Sequence, residues 1–250
     1  MTTGYPPAAL VSIGIAAIGD APWAFVESLW TLQRPTSAPL RLLRSGPLAV
    51  DVARNEVVRA FLETTTDRWL LMVDSDAVLH PGTLLRLMSH DVPVVSALAF
   101  QRYGPLLPTV MQGWSKEHGG YQVRIDETHD WLADHPELAQ MGPAMLKRAP
   151  ADSLVEVDAT GCHCLLLRRD VLEALPEPWF QGDQKRRHTR EDVFFCAQVR
   201  EAGFKVLVDR SVVAGHLYGD RPLGALDFLV WKSVSEFEPA PVGADMNEER

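Results

Sequence analysis

The sequence has few cysteines, no long apolar run and fewer basic than acidic residues, and each deficit excludes a class of protein. Three cysteines in 250 residues cannot form the disulfide framework of a small secreted domain, and they fit a reducing compartment. No apolar stretch reaches the roughly 20 residues that a membrane-spanning helix needs. The net charge of -9 argues against general nucleic-acid binding, which depends on basic surfaces.

The remaining composition is typical of one globular α/β domain. Apolar residues make up 46% and charged residues 23% of the chain, both ordinary values. An apolar stretch near the N-terminus follows no basic segment, so it predicts a first strand and not a signal peptide. We therefore expect a cytoplasmic protein with a single domain over residues 1–238. The acidic, proline-containing residues 239–250 are expected to be disordered.

Apolar segments of strand length alternate with segments of helical periodicity in the first half of the chain. Strands are predicted at residues 10–18, 40–43, 69–73 and 92–100, and helices at 21–33 and 50–63. This alternation predicts a parallel, doubly wound sheet.

The second half of the chain is predicted to be looser and richer in strands. Residues 101–152 have weak periodicity, and long segments of this kind often carry function. Later strands are predicted at 153–159, 161–167, 204–209 and 212–216, with helices at 169–175 and 191–202.

Two carboxylates, Asp74 and Asp76, follow the apolar run Trp69–Val73, with Ser75 between them. The run is short and wholly apolar, as in a strand that is buried on both faces of a sheet. In open α/β sheets ligands bind at the carboxyl ends of the strands, and carboxylates there suit Mg²⁺ or Mn²⁺. Aspartates often end strands and shape turns without binding a ligand. The interpretation as a binding site is favoured here because further polar clusters follow later strands or begin helices.

Two of those later clusters allow both a structural and a chemical interpretation. Glu191 and Asp192 begin a predicted helix, where acids are favoured by the helix dipole, so a helix cap and a chemical role both stay open. His216 ends the apolar segment 212–215, and a lone histidine at a strand end is more often structural or solvated.

The segment Cys162-His163-Cys164 suggests a zinc site at first sight. Structural zinc takes four ligands, usually in two separated pairs, and the sequence has no second pair. In a strand the two thiols would share one face and the imidazole would take the other. The pattern therefore favours core residues over a metal site.

Taken together, these segments resemble the GT-A glycosyltransferases, nucleotide-sugar-dependent enzymes similar to glycosyltransferase family 2. The similarity runs from about residue 10 to residue 216 and rests on four segments in order, ARNEVVRAFL, WLLMVDSDAVLHP, ATGCHCLLLRRDVL and EDVFFCAQVREAGFKVLVDRSVVAGH. The segments resemble phage and actinobacterial members in particular, and they are also similar to mannosylglycerate-synthase-like enzymes, which implies the same metal residues. The resemblance implies an α/β, Rossmann-like GT-A fold with a mostly parallel central sheet flanked by helices.

The resemblance also implies a hexosyltransferase activity, the metal-dependent transfer of a sugar from a UDP- or GDP-sugar to an acceptor hydroxyl. Asp76 would bind the metal directly, and Asp74 would contact the ribose or a metal-bound water. His216 would join Asp76 on the ion, which favours Mn²⁺ over Mg²⁺ because imidazole suits transition metals. Asp192, or Glu191 in its place, would act as the general base of an inverting enzyme; a retaining enzyme would orient it differently.

The same resemblance places further residues around the donor and the acceptor. Those expected at the nucleotide-sugar, besides Asp74, are Gly19, Asp20, Arg54, Asn55, Ser75, Gly161, Arg187 and Arg190. Arg54 would pair with a phosphate, and the basic residues 185–190 would clamp the diphosphate or form only a solvated loop. Trp114 and Trp131 would form an apolar platform for the acceptor or pack in a core beneath the middle segment.

Two other functions are weighed against this one. A nucleotidyltransferase would need a glycine-rich, basic phosphate loop after the first strand, but residues 19–22 contain one glycine and no basic residue. A non-catalytic nucleotide-sugar-binding protein would not need acids in both carboxylate clusters. The acceptor is expected to be a protein or a small soluble molecule, on analogy with the phage-like members.

Overall fold

The computed structural model describes residues 11–235 except residues 18, 36–40, 116–119, 141–144, 146–147 and 183–189. The strands in this part of the chain are β1 (Val11–Ala16), β2 (Arg41–Arg44), β3 (Trp69–Asp74), β4 (Ala77–Val78), β5 (Val94–Leu98), β6 (Met111–Ser115), β7 (Gly120–Val123), β8 (Leu154–Val157), β9 (Cys164–Arg168), β10 (Val206–Val213), β11 (Gly215–Tyr218) and β12 (Arg221–Leu223). The helices are α1 (Trp23–Thr31), α2 (Val50–Thr64), α3 (Thr83–Ser89), α4 (Ile125–Ala133), α5 (Pro136–Gln140), α6 (Arg169–Ala174), α7 (Glu191–Glu201) and α8 (Ala225–Val234).

Seven strands form the central sheet, in the order β2-β1-β3-β9-β5-β10-β8. Five of them run in one direction, whereas β9 is antiparallel to both of its neighbours and β8 is antiparallel to β10. The predicted mostly parallel α/β sheet is therefore confirmed. The strand at 161–167 was predicted too, but not its direction, which the pairing with β3 and β5 decides.

Strand β3 is buried on both faces of the sheet, as its apolar run predicted. Leu70 and Met72 belong to one core cluster, and Leu71 and Val73 belong to the other, because successive side chains of a strand point to opposite faces. Helices α2, α6 and α7 pack on the first face, and α1 and α3 pack on the second. The carboxyl end of β3 is therefore held rigidly from both sides.

A second sheet of three strands, β12-β11-β4, lies next to the end of β3. Strand β4 begins directly after Asp76 and pairs antiparallel with β11, so that His216 lies opposite Ala77. The backbone N–H of Leu217 donates to the Asp76 carbonyl at 2.9 Å. The predicted strand at 212–216 is wrong in its bounds, since β10 continues to Val213 and His216 lies inside β11. This pairing brings His216 beside Asp76.

The middle segment is less irregular than predicted. In its described part, β6 and β7 form an antiparallel pair, and α4 buries Ile125, Trp131 and Leu132 in the core. These residues have helical spacing, but the surrounding glycines and prolines hid the pattern. The tail at 239–250 lies outside the described residues, and the single domain over 1–238 stays a prediction. Among the described helices, none has the length and apolar character that a bilayer crossing needs.

Candidate functional site

A pocket of about 410 Å³ opens at the carboxyl ends of the parallel strands. Its walls come from several separate segments, namely Ala16 after β1, Val50 and Arg54 on α2, residues 74–76 after β3, residues 101–103 after β5, residues 190–192 at the start of α7, and His216 on β11. These segments converge because the carboxyl ends of parallel strands share one edge of the sheet, where open α/β folds bind ligands.

A group of side chains that fits a divalent cation combines Asp76 and His216 from the pocket wall with the buried His163 behind them. Asp76, His163 and His216 offer ligand atoms that all lie within 4.8 Å of one another. His216 Nε2 lies 3.5 Å from Asp76 Oδ2, and His163 Nδ1 lies 3.8 Å from Asp76 Oδ1. His163 Nδ1 is buried and has no hydrogen-bond partner among the described residues. A carboxylate and two imidazoles are ligands that transition metal ions accept.

His163 comes from the segment Cys162-His163-Cys164, for which the sequence pattern favoured core residues over a metal site, and the structure places its ring beside Asp74 and Asp76. It lies in the turn before β9, and not inside a strand as predicted, and only 5% of its surface is exposed. The backbone N–H of Asp74 donates to the His163 carbonyl at 3.1 Å. Because β9 runs antiparallel to β3, the start of β9 meets the end of β3, and the ring comes to lie beside both aspartates. The cysteine-histidine segment was the local signal for this residue, but the strand pairing that brings it to the aspartates depends on the tertiary structure.

Neighbouring charges determine the pKa values of these groups. Burial tends to raise the pKa of Asp74, but the Arg54 guanidinium and the His163 ring outweigh it and hold that pKa well below its usual range. Burial also opposes ionisation of Asp76, yet His216 and His163 lower its pKa. For His163, burial lowers the pKa while Asp74 and Asp76 raise it more, so the net shift is upward. Both aspartates are therefore ionised at neutral pH and attract cations into the pocket.

Arg54 connects the two carboxylate clusters. Its Nη2 donates to Asp74 Oδ1 at 2.8 Å, and its Nη1 donates to the Glu191 carboxylate. The Arg54 side chain is only 4% exposed; burial lowers its pKa, but the charges of Asp74, Glu191 and Asp192 outweigh burial and raise that pKa overall. The guanidinium thereby joins the end of β3 to the start of α7. Pairing of Arg54 with a donor phosphate stays a prediction, since both terminal nitrogens already contact carboxylates.

We expect Arg54→Met to lower the free energy of unfolding by about 3 kcal/mol, near the low end of what removing one partner of a buried ion pair costs. Methionine has a similar length but leaves Asp74 and Glu191 with no cation between them. Denaturant unfolding followed by tryptophan fluorescence measures the change. Arg59→Met is the matched control, because Arg59 also lies on α2 and pairs with Glu177 but is 42% exposed. Equal losses in both variants would contradict a structural role for Arg54.

Asp192 lies in the first turn of α7 at the pocket wall, with 8% of its surface exposed. Its Oδ1 accepts a hydrogen bond from the Val193 backbone N–H at 2.8 Å. Burial and the Glu191 charge raise the pKa of Asp192, while Arg54 and Arg190 lower it less, and the pKa comes to about 6. A carboxylate with this pKa is ionised at neutral pH and is more basic than an exposed one, so it is suited to accept a proton.

Of the other residues predicted to bind the nucleotide-sugar, some line the pocket and others lie away from it. Ser75 and Arg190 line the pocket. Gly161 lies beside Asp192, since a Cβ on Gly161 would be 3.7 Å from Asp192 Oδ2. The Asn55 side chain instead holds the Phe180 backbone, donating to its carbonyl at 2.6 Å and accepting from its N–H at 3.1 Å. Asn55 therefore supports the segment before α7 and reaches the pocket only indirectly.

Four further predicted residues do not belong to the described pocket wall. Gly19 and Asp20 are exposed, and the described lining includes Ala16 from β1 but neither of them. Arg187 lies outside the described residues. Trp131 is buried in the core, where its ring stacks on His135 with centroids 4.2 Å apart and faces the Arg210 guanidinium at 4.7 Å.

The outcome for the two tryptophans follows from this placement. For Trp131 the structure favours the core alternative over an acceptor platform, because its ring is already covered by neighbouring side chains. Trp114 lies on β6, and its side chain is outside the described part of the chain. Its role at the acceptor therefore stays a prediction.

Arg102 lines the pocket as well, and the sequence did not indicate it. Its Nη1 contacts Asp76 Oδ2 and lies 3.4 Å from the Leu217 carbonyl oxygen. The same Asp76 oxygen faces His216 Nε2. Arg102 therefore occupies a carboxylate oxygen that a bound cation would also use.

A known family matches most of the chain. The family described as "Glycosyltransferase like family 2" covers residues 24–230, which include the pocket segments 74–76, 101–103 and 190–192. No curated protein matches the chain. Among solved structures, one described as "Crystal Structure of A197 from STIV" aligns with 86% of this chain and 89% of its own, at 16% sequence identity and a TM-score of 0.49.

Proposed function

The chain belongs to the glycosyltransferase-like family 2, and from this membership we propose that it is a metal-dependent enzyme that moves a sugar from a UDP- or GDP-sugar to an acceptor hydroxyl. Membership supports glycosyl transfer in general and a nucleotide-sugar donor. The observation that carries the finer proposal is that Asp76 and His216, two members of the group that fits a cation, line the same pocket as the buried, basic carboxylate of Asp192. The proposed acceptor is a protein or a small soluble molecule.

In the proposed reaction, Asp76 and His216 hold the ion, and Arg54 keeps Asp74 ionised beside it. When bound, a divalent cation offsets the negative charge that develops on the departing diphosphate. Two histidines close to Asp76 support Mn²⁺ over Mg²⁺. The pocket volume of about 410 Å³ is within the range of small-molecule sites.

Asp192 is proposed to act on the acceptor. As the acceptor oxygen bonds to the anomeric carbon, Asp192 takes the hydroxyl proton, and the bond between that carbon and the diphosphate oxygen breaks. Its buried position supports this role, because desolvation makes the carboxylate a stronger base. Gly161 packs closely beside Asp192, because a Cβ at that position would lie 3.1 Å from Thr109 Cγ2 and 3.7 Å from Asp192 Oδ2.

A donor screen with the purified full chain tests this function. UDP- and GDP-sugars are incubated with the protein in Mn²⁺, in Mg²⁺ and in chelator, and nucleotide release and thermal stability are measured. We expect a UDP- or GDP-sugar to stabilise the protein and to be hydrolysed only when a metal is present. In a parallel incubation with nucleoside triphosphates, release of pyrophosphate would instead identify a nucleotidyltransferase, and stabilisation by a nucleotide-sugar that is not hydrolysed would indicate a binding protein.

Arg102→Gln should strengthen Mn²⁺ binding in the absence of nucleotide. The guanidinium and the ion compete for Asp76 Oδ2, and repulsion between two cations near a surface is worth about 1 kcal/mol or more, so the Kd should fall at least about fivefold. Isothermal titration measures it. Arg200→Gln is the control, because Arg200 pairs with Asp158 at 2.7 Å away from the described pocket wall. Weaker Mn²⁺ binding by Arg102→Gln would show that Arg102 supports the site.

A further inference from the structure

We propose that His163 is a third protein ligand of the ion that Asp76 and His216 hold, so that the site binds transition metals before the donor arrives and discriminates against Mg²⁺. This inference rests on the proposed function, because it concerns the same site. The ligand set of one carboxylate and two imidazoles comes from three distant parts of the chain, the end of β3, the turn before β9 and the middle of β11.

The hydrogen bonding of His163 determines which of its nitrogens is available. Nε2 lies 3.0 Å from the Gly215 carbonyl oxygen, and because a carbonyl only accepts, Nε2 carries the hydrogen. In the neutral ring the lone pair is then on Nδ1. That atom is buried without a hydrogen-bond partner among the described residues, and it lies 3.5 Å from Asp74 Oδ2 and 3.8 Å from Asp76 Oδ1.

His216 has the same arrangement with its nitrogens exchanged. Nδ1 lies 2.9 Å from the Phe100 carbonyl oxygen, so Nδ1 carries the hydrogen and the lone pair is on Nε2. Nε2 lies 3.5 Å from Asp76 Oδ2. Metal-binding histidines usually donate their other ring N–H to a carbonyl or carboxylate, which orients the ring and fixes the tautomer. Both rings therefore present a lone pair to Asp76 and are held by a backbone carbonyl.

The backbone links the two histidines. Gly215, whose carbonyl orients His163, immediately precedes His216 on β11, and the two imidazole centroids are 4.2 Å apart. The alternative is that Nδ1 of His163 binds a proton instead of a metal ion, which would give an imidazolium paired with Asp74. The 3.5 Å separation from Asp74 is long for a charge-assisted hydrogen bond, whereas small side-chain rotations would bring the three ligand atoms to a common ion.

The ligand set predicts which ions bind. Mg²⁺ prefers oxygen ligands in octahedral geometry and retains several waters, so a site with two imidazoles and one carboxylate is poor for it. Imidazole suits the later transition metals best, and affinity for such a site rises from Mn²⁺ to Co²⁺, so Co²⁺ should bind more tightly than Mn²⁺, and both more tightly than Mg²⁺. Three protein ligands also make binding less dependent on oxygens from the nucleotide diphosphate. The site should consequently bind Mn²⁺ or Co²⁺ alone, without a nucleotide.

The test uses the full chain, freed of metal, with Mn²⁺, Co²⁺ and Mg²⁺ titrated in the absence of nucleotide. We expect one Mn²⁺ per chain and at least about tenfold weaker Mg²⁺ binding.

Two variants separate the role of His163 as a metal ligand from its hydrogen bond to the Gly215 carbonyl. His163→Gln can keep the donor to Gly215 but has no atom at the Nδ1 position, and it should weaken Mn²⁺ binding at least about tenfold. His163→Asn gives up the donor but offers an amide oxygen near that position, so it should retain more affinity.

His90→Gln is the matched control, because His90 also contacts a carboxylate, with Nε2 2.6 Å from Asp209 Oδ2, but does not line the described pocket. Its Mn²⁺ affinity should equal that of the unmodified chain. Pulsed electron paramagnetic resonance of the Mn²⁺ complex of the unmodified chain gives a measurement that needs no variant. Two coordinated imidazole nitrogens are expected.

One coordinated imidazole, an unchanged Mn²⁺ affinity in folded His163→Gln, or Mg²⁺ binding as tight as Mn²⁺ binding would each overturn the inference. These results are separate from those of the donor screen. A chain that binds Mn²⁺ through two imidazoles but turns over no nucleotide-sugar would refute the proposed function and leave the metal site standing. Turnover of a nucleotide-sugar by a chain whose ion carries only one imidazole would refute the role of His163 and leave the proposed function standing.

Discussion

Asp76→Asn should abolish Mn²⁺-dependent binding of UDP or GDP and lower sugar transfer by about 10³-fold or more, since a metal contributes several kcal/mol to stabilising a charged transition state. Asp76 supplies the one carboxylate in the described group of cation-facing side chains. Asparagine has the same shape but no charge, so the two histidines would be left without an anionic partner on the ion. The partly exposed Arg102 side chain can turn to solvent, so the fold should remain stable.

Nucleotide affinity with and without Mn²⁺, measured by isothermal titration, checks this expectation. Asp91→Asn is the control, because Asp91 also pairs with an arginine, Arg68, at 2.9 Å but on the surface away from the pocket. Asparagine also tolerates the positive φ of 48° at that position. A folded Asp76→Asn protein that keeps full Mn²⁺-dependent nucleotide binding would reject the metal assignment.

Asp192→Asn should lower sugar transfer by about 10²–10⁴-fold, the usual contribution of a general base. Donor binding should survive, because Asp192 is not among the described cation-facing side chains. The N-cap of α7 is Arg190, so Asp192 lies in the first turn and not at the cap, and the side-chain oxygen of asparagine can still accept from the Val193 N–H. Stability should therefore change little, which separates a chemical role from a structural one.

The dependence of transfer on pH gives the same assignment a second test. Burial and the Glu191 charge raise the pKa of Asp192 to about 6, and the group is a base only when deprotonated. The transfer rate should therefore rise with pH through about 6 and level off above it, and Asp192→Asn should lose this rise. Near-normal turnover in Asp192→Asn would leave Asp192 only a structural role in the first turn of α7, and loss of metal-dependent nucleotide binding in this variant would place Asp192 at the ion.

The sequence by itself determined the features that depend on local patterns. Helix α2 was predicted at 50–63 and extends over Val50–Thr64, because its apolar stripe has helical spacing. Strand β3 and the two aspartates at its carboxyl end were predicted correctly as well, since a short, wholly apolar run followed by acids indicates a buried strand with a polar end. Helix α4 was missed, because glycines and prolines around it obscured a similar stripe.

Only the tertiary structure decided which distant residues meet at the pocket. The antiparallel direction of β9 places His163 beside Asp74, and the pairing of β4 with β11 places His216 beside Asp76. The contact of Arg54 with both carboxylate clusters likewise depends on how α2 and α7 pack. Strand direction and helix packing are set by the free energy of the whole fold, in which pairings between distant segments compete. A local pattern can therefore identify an acid at a strand end, but not the histidine that lies opposite it.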